Sequence, residues 1–180
     1  MELKAQDVVV VLKLLTHDGR SMTFAQLGED LAISPSHAFE AVARAEGSHL
    51  LIRRSAASAP RRGFVHEANR GNLKEFLIHG VKYAFPVERG GPTRGIPTAE
   101  AAPPLDQHFS QDFPLPPVWP YAEGSVRGIA FSPLYKNVPQ AAMRDAKLYE
   151  LLALVDAIRE GRAREREMAI RELTARIDSQ

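Results

Sequence analysis

The chain contains no cysteine. Disulfides, thiolate nucleophiles and thiolate metal sites are therefore excluded, and the fold is indifferent to redox compartment. No window approaches the roughly 18 consecutive apolar residues that a membrane span requires. The start of the chain also lacks the basic-then-apolar shape of a signal peptide, so a cytoplasmic protein with no membrane association is expected. Catalytic motifs are missing as well. The six histidines, at positions 17, 37, 49, 66, 79 and 108, show no metal-ligand spacing, and there is no HExxH, glycine-rich phosphate loop or GxSxG. The expectation is a protein without enzymatic activity, metal or cofactor. An excess of one charge is lacking too, with 23 basic against 22 acidic residues. That balance is uneven along the chain. Residues 1–48 carry four basic and seven acidic side chains, whereas 49–66 carry Arg53, Arg54, Arg61 and Arg62 and no acid.

What is present is enough for one real core: 180 residues, 44% hydrophobic and 25% charged. Ser34-Pro35 is a strong helix start, because the serine oxygen accepts an orphan backbone N–H and proline fits the first helical position. From there PSHAFEAVARAE places Ala38, Ala41, Val42 and Ala45 on one face, which leaves Ser36, His37, Phe39, Glu40 and Arg44 for the outside. Thr23-Phe24-Ala25-Gln26 is a capping-box pattern opening a helix with Phe24, Leu27 and Leu31 on its apolar face. Two short helices, 23–32 and 35–46, are thus joined by a very tight turn at Ile33-Ser34, as in a helix-turn-helix.

The run QDVVVVLKLLT before them favours a strand by propensity, but Val8, Val11, Leu12 and Leu15 fall on one helical face and Asp18-Gly19 ends it. It is read as a helix from Ala5 to Thr16, with Val9, Val10 and Leu14 outside the stripe and in need of a cover. After the pair, His49 to Arg54 is a strand candidate, followed by SAASAPRRG and the strand candidate Phe64-Val65-His66. The result is a hairpin with a basic tip.

Residues 5–66, in the order helix, TFAQLGEDLAISPSHAFEAVARAE, strand and basic wing, resemble the winged helix-turn-helix of MarR-like bacterial transcription regulators. One departure is Ala45, where such regulators usually carry a larger apolar residue. The whole chain also resembles uncharacterised bacterial proteins with RGIPT and APPL in a proline-rich middle, which implies no activity. The regulator resemblance implies a second helix seated in the DNA major groove. Ser34, Ser36 and His37 are then expected near bases or phosphates, Phe39 near a thymine methyl, and Arg44 near a phosphate or guanine. Arg53, Arg54, Arg61 and Arg62 are expected to neutralise the DNA backbone. Glu40 runs against this, since phosphates repel a carboxylate.

The remainder departs from those regulators. Asn72-Leu73-Lys74-Glu75 opens a helix whose stripe is Leu73, Phe76, Leu77, Gly80, Val81 and Ala84. A helical glycine costs roughly 1 kcal/mol, which points to a close backbone crossing at Gly80. Residues 86–139 hold eleven of the thirteen prolines yet also Phe109, Phe113, Trp119, Tyr121, Phe131 and Tyr135. Disordered segments are poor in aromatics, so an ordered strap docked by its rings is expected. Within it, 118–121 and 126–131 suit a small hairpin, and GGPTRGIPTAEAAPP is the stretch expected to be mobile. Asp145 caps a helix with Leu148, Leu151, Leu152, Val155 and Ile158 inward, ended by Gly161. The last helix, 162–177, carries Met168, Ile170, Leu173 and Ile177 among interleaved arginines and acids.

The expected fold is mainly α with a small β wing. It comprises a winged helix-turn-helix (1–68), a connecting helix (69–85), an irregular proline-rich strap (86–138) and a C-terminal helical pair (139–180). The expected function is a sequence-specific, double-stranded DNA-binding transcriptional repressor. It acts as a homodimer through the last helices with Val9, Val10 and Leu14. A different class also fits, an antitoxin that grips a partner protein, the toxin, through 86–180 and autoregulates its operon.

Overall fold

The computed structural model describes residues 2–17, 20–53, 65–109 and 114–179. It is mainly helical, with a two-stranded and a three-stranded sheet. Helix α1 (Ala5–Thr16) is followed by α2 (Phe24–Leu31) and α3 (Pro35–Gly47). At the start of α2, Thr23 accepts the N–H of Gln26 while the Gln26 side chain accepts the N–H of Thr23, so the capping box is reciprocal. Ala32, with φ 53°, turns the chain left-handed out of α2, and Ser34 then caps α3 by accepting the N–H of His37. Strands β1 (Leu51–Arg53) and β2 (His66–Ala68) pair antiparallel, with Ile52 opposite Glu67.

Helix α1 is buried on every side. Val9, Val10 and Leu14, expected to await an external cover, are 3%, 0% and 5% exposed. The cover is internal, since α1 packs against α3, β2 and α7 (Ala146–Glu160). A helix apolar all round is a central helix. Each such side chain contributes about 1.5–3 kcal/mol on burial, so the run of valines that mimics a strand is better used at the centre of a bundle.

The same core continues through the C-terminal half. Helix α8 (Ala163–Ser179) lies along α7 and buries Ala169, Leu173 and Ile177, while Met168 and Ile170 are half-buried at the edge. The apolar residues assigned to a dimer interface are therefore used within the chain. A short helix unforeseen from the sequence, α6 (Val138–Arg144), precedes α7 and packs on α2. Asp145 caps α7 by accepting the N–H of Leu148, as expected.

The connecting helix runs from α4 (Arg70–Glu75) through a π-helical turn at Phe76–Gly80 into α5 (Val81–Ala84). Gly80 meets the ring of Phe76, within its own turn, and not a crossing backbone. The glycine makes room for the bulged turn.

The proline-rich segment is more regular than its composition suggests. GGPTRGIP, the first part of the GGPTRGIPTAEAAPP stretch expected to be mobile, lies in β3 (Arg89–Pro97), which pairs antiparallel with both β4 (Pro117–Pro120) and β5 (Val126–Phe131). The register shifts between Arg89 and Pro92, so the proline sits beside an irregularity, where a missing N–H is tolerated. Strands β4 and β5 do not form the expected hairpin. They run parallel, with Val118 opposite Ala130, and close the three strands into a ring. So tight a ring brings backbones into contact, and a Cβ at Gly95 would strike the Trp119 carbonyl and one at Gly128 the Pro116 carbonyl. Trp119 and Phe131 are fully buried, Trp119 packs on Tyr149 at 5.6 Å, and Phe109, Tyr121 and Tyr135 are partly buried against the core, whereas Phe113 lies outside the described residues.

The ring is fastened to α7 by a buried polar hub. Asp156 accepts hydrogen bonds from Thr98 Oγ1 (2.8 Å) and Trp119 Nε1 (2.6 Å) and pairs with Arg159 (2.7 Å). Arg159 in turn donates to the carbonyls of Phe85, Pro86 and Ser132. A buried charge pair is tolerable only with such complete satisfaction.

Candidate nucleic-acid interface

Helix α3 presents the only face built from the residues singled out in its sequence. Its inner stripe, Ala38, Ala41, Val42 and Ala45, is buried to 2% or less. Small side chains there let α3 lie close against α1 and α2. Ser34, Ser36, His37, Phe39 and Glu40 are consequently exposed together near the N-terminal end of α3, where backbone N–H groups and the helix dipole favour negative charge. Phe39 is 57% exposed and stands edge-on to Phe24 of α2, with ring centroids 5.3 Å apart and planes at 84°. The contact with Phe24 holds the Phe39 ring in a defined orientation while its other surface faces outward.

Arg44 is a correction. It was expected to reach outward to DNA, but its guanidinium turns inward, with Nε 2.9 Å and Nη2 2.8 Å from the two carboxylate oxygens of Asp7. The hydrogen bonds to Asp7 push the Arg44 pKa still higher, so the charge is permanent and internally compensated. The reason lies in α1: Asp7 is fully buried at the start of an otherwise apolar helix, and an unpaired carboxylate there would carry a large desolvation cost. Arg44 also lies 3.6 Å from Glu40, which draws that carboxylate toward a cation on its own helix.

Arg53 is exposed at the end of β1. The other three arginines of the proposed basic tip, Arg54, Arg61 and Arg62, and the strand candidate Phe64 lie outside the described residues. At the base of this hairpin His66 Nε2 lies 3.5 Å from Glu46 Oε2 of α3. Burial pushes the His66 pKa below its ordinary value, and the neighbouring Glu46 carboxylate does not fully offset it.

Two residues that sequence reasoning missed brace the turn from behind. Asn137 donates to the Ala32 carbonyl at 2.5 Å and Arg144 to the Glu29 carbonyl at 2.6 Å. The carbonyls are those of Glu29 in the last turn of α2 and of its cap Ala32, where few regular helical donors remain. Lys13 adds a second tie, 3.0 Å from Asp30 of α2 and 2.8 Å from Asp145 at the start of α7. No local pattern announces the contacts of Asn137, Arg144 and Asp145, because each joins residues more than 100 positions apart.

Among the described residues no cluster of three or more histidine, aspartate or glutamate side chains is arranged to hold a metal ion, and no helix is long and apolar enough to cross a membrane. No family model, no curated protein and no solved structure matches the chain.

Proposed function

We propose that the chain is a sequence-specific, double-stranded DNA-binding transcriptional regulator of winged-helix type, acting as a repressor by occluding its site. The observation that carries this reading is Phe39. A large ring more than half exposed beside exposed His37, Ser36 and Ser34 is an unusual choice for a face that meets only water. The same residues suit a major groove, where a ring meets thymine methyls and hydroxyls or imidazoles meet base edges. The order of elements supports it: a helix, a single bridge residue at Met22, the tight helix pair, and a hairpin that begins at β1. The arginines at 53, 54, 61 and 62 supply the backbone charge. Two copies on a pseudo-palindromic site complete the proposal, with an interface that does not use Val9, Val10, Leu14, Leu173 and Ile177, which are internal.

The test is selection from a random duplex library with the purified chain, followed by competition between the enriched and a scrambled duplex at fixed salt. Phe39→Ala and His37→Ala are each expected to lower the preference for the enriched duplex by about 1–3 kcal/mol while sparing binding to the scrambled one. Thermal melts should match the unaltered protein. No enrichment at all, or full discrimination by both variants, would remove α3 as the reader.

A further inference from the structure

A second site lies where the strand ring meets the junction of α7 and α8. It is a cavity of about 270 Å3. Its apolar wall comes from the ring, with Pro117 of β4 and Ile129 and Phe131 of β5, and its mouth is edged by Leu115. Its polar side comes from the α7–α8 junction and from the 3-10 turn at Ala99–Ala101.

The charges around it fall into two groups. Arg89 and Glu160 are bonded to each other at 2.6 Å, and the Arg89 guanidinium also covers the Phe131 ring at 4.7 Å. Glu165 accepts the backbone N–H of Arg162 at 2.8 Å and so starts α8. These groups are committed. Glu100 and the guanidinium of Arg162 are not: among the described residues neither enters an ion pair or a hydrogen bond with another side chain. They line the same cavity with opposite charges and do not bridge it.

Glu100 is held there at a cost. Burial raises its pKa, with a smaller contribution from the Glu165 carboxylate, although its own backbone N–H and the Arg89 and Arg162 guanidiniums favour the charged form; a cation placed beside it would favour that form further. The preceding residue, Ala99, is buried and has φ 51°, a left-handed conformation that a non-glycine residue adopts only when its surroundings impose it. The turn that presents Glu100 is thus fixed by packing and does not follow the local preference of its sequence.

From this arrangement we propose that the cavity binds a small zwitterion, a free α-amino acid with an apolar side chain. Its ammonium meets Glu100, its carboxylate meets Arg162, and its side chain lies on Ile129 and Leu115. The volume of about 270 Å3 falls just below the usual range of small-molecule sites, which begins at roughly 300 Å3, and this suits a ligand no larger than one amino acid. Both charges on one ligand are required, because a ligand with only one leaves either the part-buried Glu100 carboxylate or the Arg162 guanidinium beside it without a partner. The site is independent of α3 and of the DNA-binding reading.

The experiment is calorimetry and thermal melting of the full chain with L-leucine, L-valine and L-phenylalanine. Two single-charge analogues of leucine, 4-methylpentanoate and 3-methylbutylamine, serve as comparisons. At least one amino acid should bind and raise the melting temperature, about tenfold or more tightly than an analogue that keeps the same side chain with one charge. Glu100→Gln and Arg162→Gln should each weaken that binding by about tenfold or more, with melts in the absence of ligand showing that both variants fold. The proposal is overturned if none of the three amino acids binds, if the amine or the carboxylate alone binds equally well, or if both folded variants bind as the unaltered protein does.

Discussion

The guanidinium of Arg44 grips both carboxylate oxygens of Asp7, a residue 37 positions earlier, and Asp7 Oδ2 also accepts the backbone N–H of Lys4 at 2.8 Å. One carboxylate thereby caps the start of α1 and fixes the later part of α3 against it. The orientation of the exposed face of α3 therefore depends on a charge pair that never meets solvent.

Removing one partner should expose that dependence. Asp7→Ala leaves the buried Arg44 with only the exposed Glu40 carboxylate, 3.6 Å away, as counter-charge, and is expected to destabilise the fold by about 3–5 kcal/mol in urea unfolding. Replacing both, as Asp7→Leu with Arg44→Met, is expected to recover most of the loss, since apolar groups of similar volume substitute well for a buried pair. A double variant no more stable than Asp7→Ala would show that Arg44 packs in a way no apolar chain reproduces.

The hub at Asp156 makes a parallel prediction for the other end of α7. Asp156→Ala deprives Arg159, Thr98 and Trp119 of their common acceptor, so a loss of about 3–5 kcal/mol is expected. The emission of the single tryptophan gives a local readout of the same change. It should shift on substitution at Asp156 and stay fixed on substitution at Asp7, which distinguishes loosening of the strand ring from general destabilisation.

His66 sets a pH dependence. Its pKa is lowered in the folded state, so below the ordinary histidine value of about 6.5 the unfolded chain takes up a proton that the folded chain resists. The stability it contributes is complete above that value and declines as pH falls from it toward the lower folded value. His66→Gln should flatten the pH profile of stability just below about 6.5. Glu46→Gln should steepen it, because the carboxylate is what partly favours the charged imidazole.

Local signals carried much of this structure. The capping box at Thr23, the Ser34-Pro35 start and the Asp145 cap each depend on residues three apart, and all three helices begin where those residues stand. Long-range relationships were not legible. Arg44 looked exposed because it lies beside the alanine stripe and its partner is on another helix, although a lone aspartate heading a run of valines is a signal that some cation must turn inward. The strand GGPTRGIP was hidden by its prolines and glycines, which read as loop until the pairing that needs them is known. Leu173 and Ile177 looked like a surface awaiting a second copy, because the face of α7 that covers them cannot be counted from α8 alone.

The brace behind the helix pair offers the last prediction, one that separates positioning from contact. Asn137 and Arg144 of the α6 region bond the carbonyls of Ala32 and Glu29, immediately before Ser34 begins α3. A typical hydrogen bond contributes about 0.5–1.5 kcal/mol net, so Asn137→Ala together with Arg144→Ala should lower global stability only modestly. Local order should suffer more. Amide exchange at Ile33 to His37 should quicken in the double variant while exchange in the centre of α1 stays slow, because the turn loses its only side-chain ties to α6 among the described residues and α1 keeps its core. If α3 reads DNA, this loosening weakens the enriched duplex more than the scrambled one, although neither residue belongs to the exposed face of α3. Amide exchange that quickens throughout α1, α2 and α3 alike would mean that α6 supports the whole fold, and the assignment of Asn137 and Arg144 as positioning residues would fail.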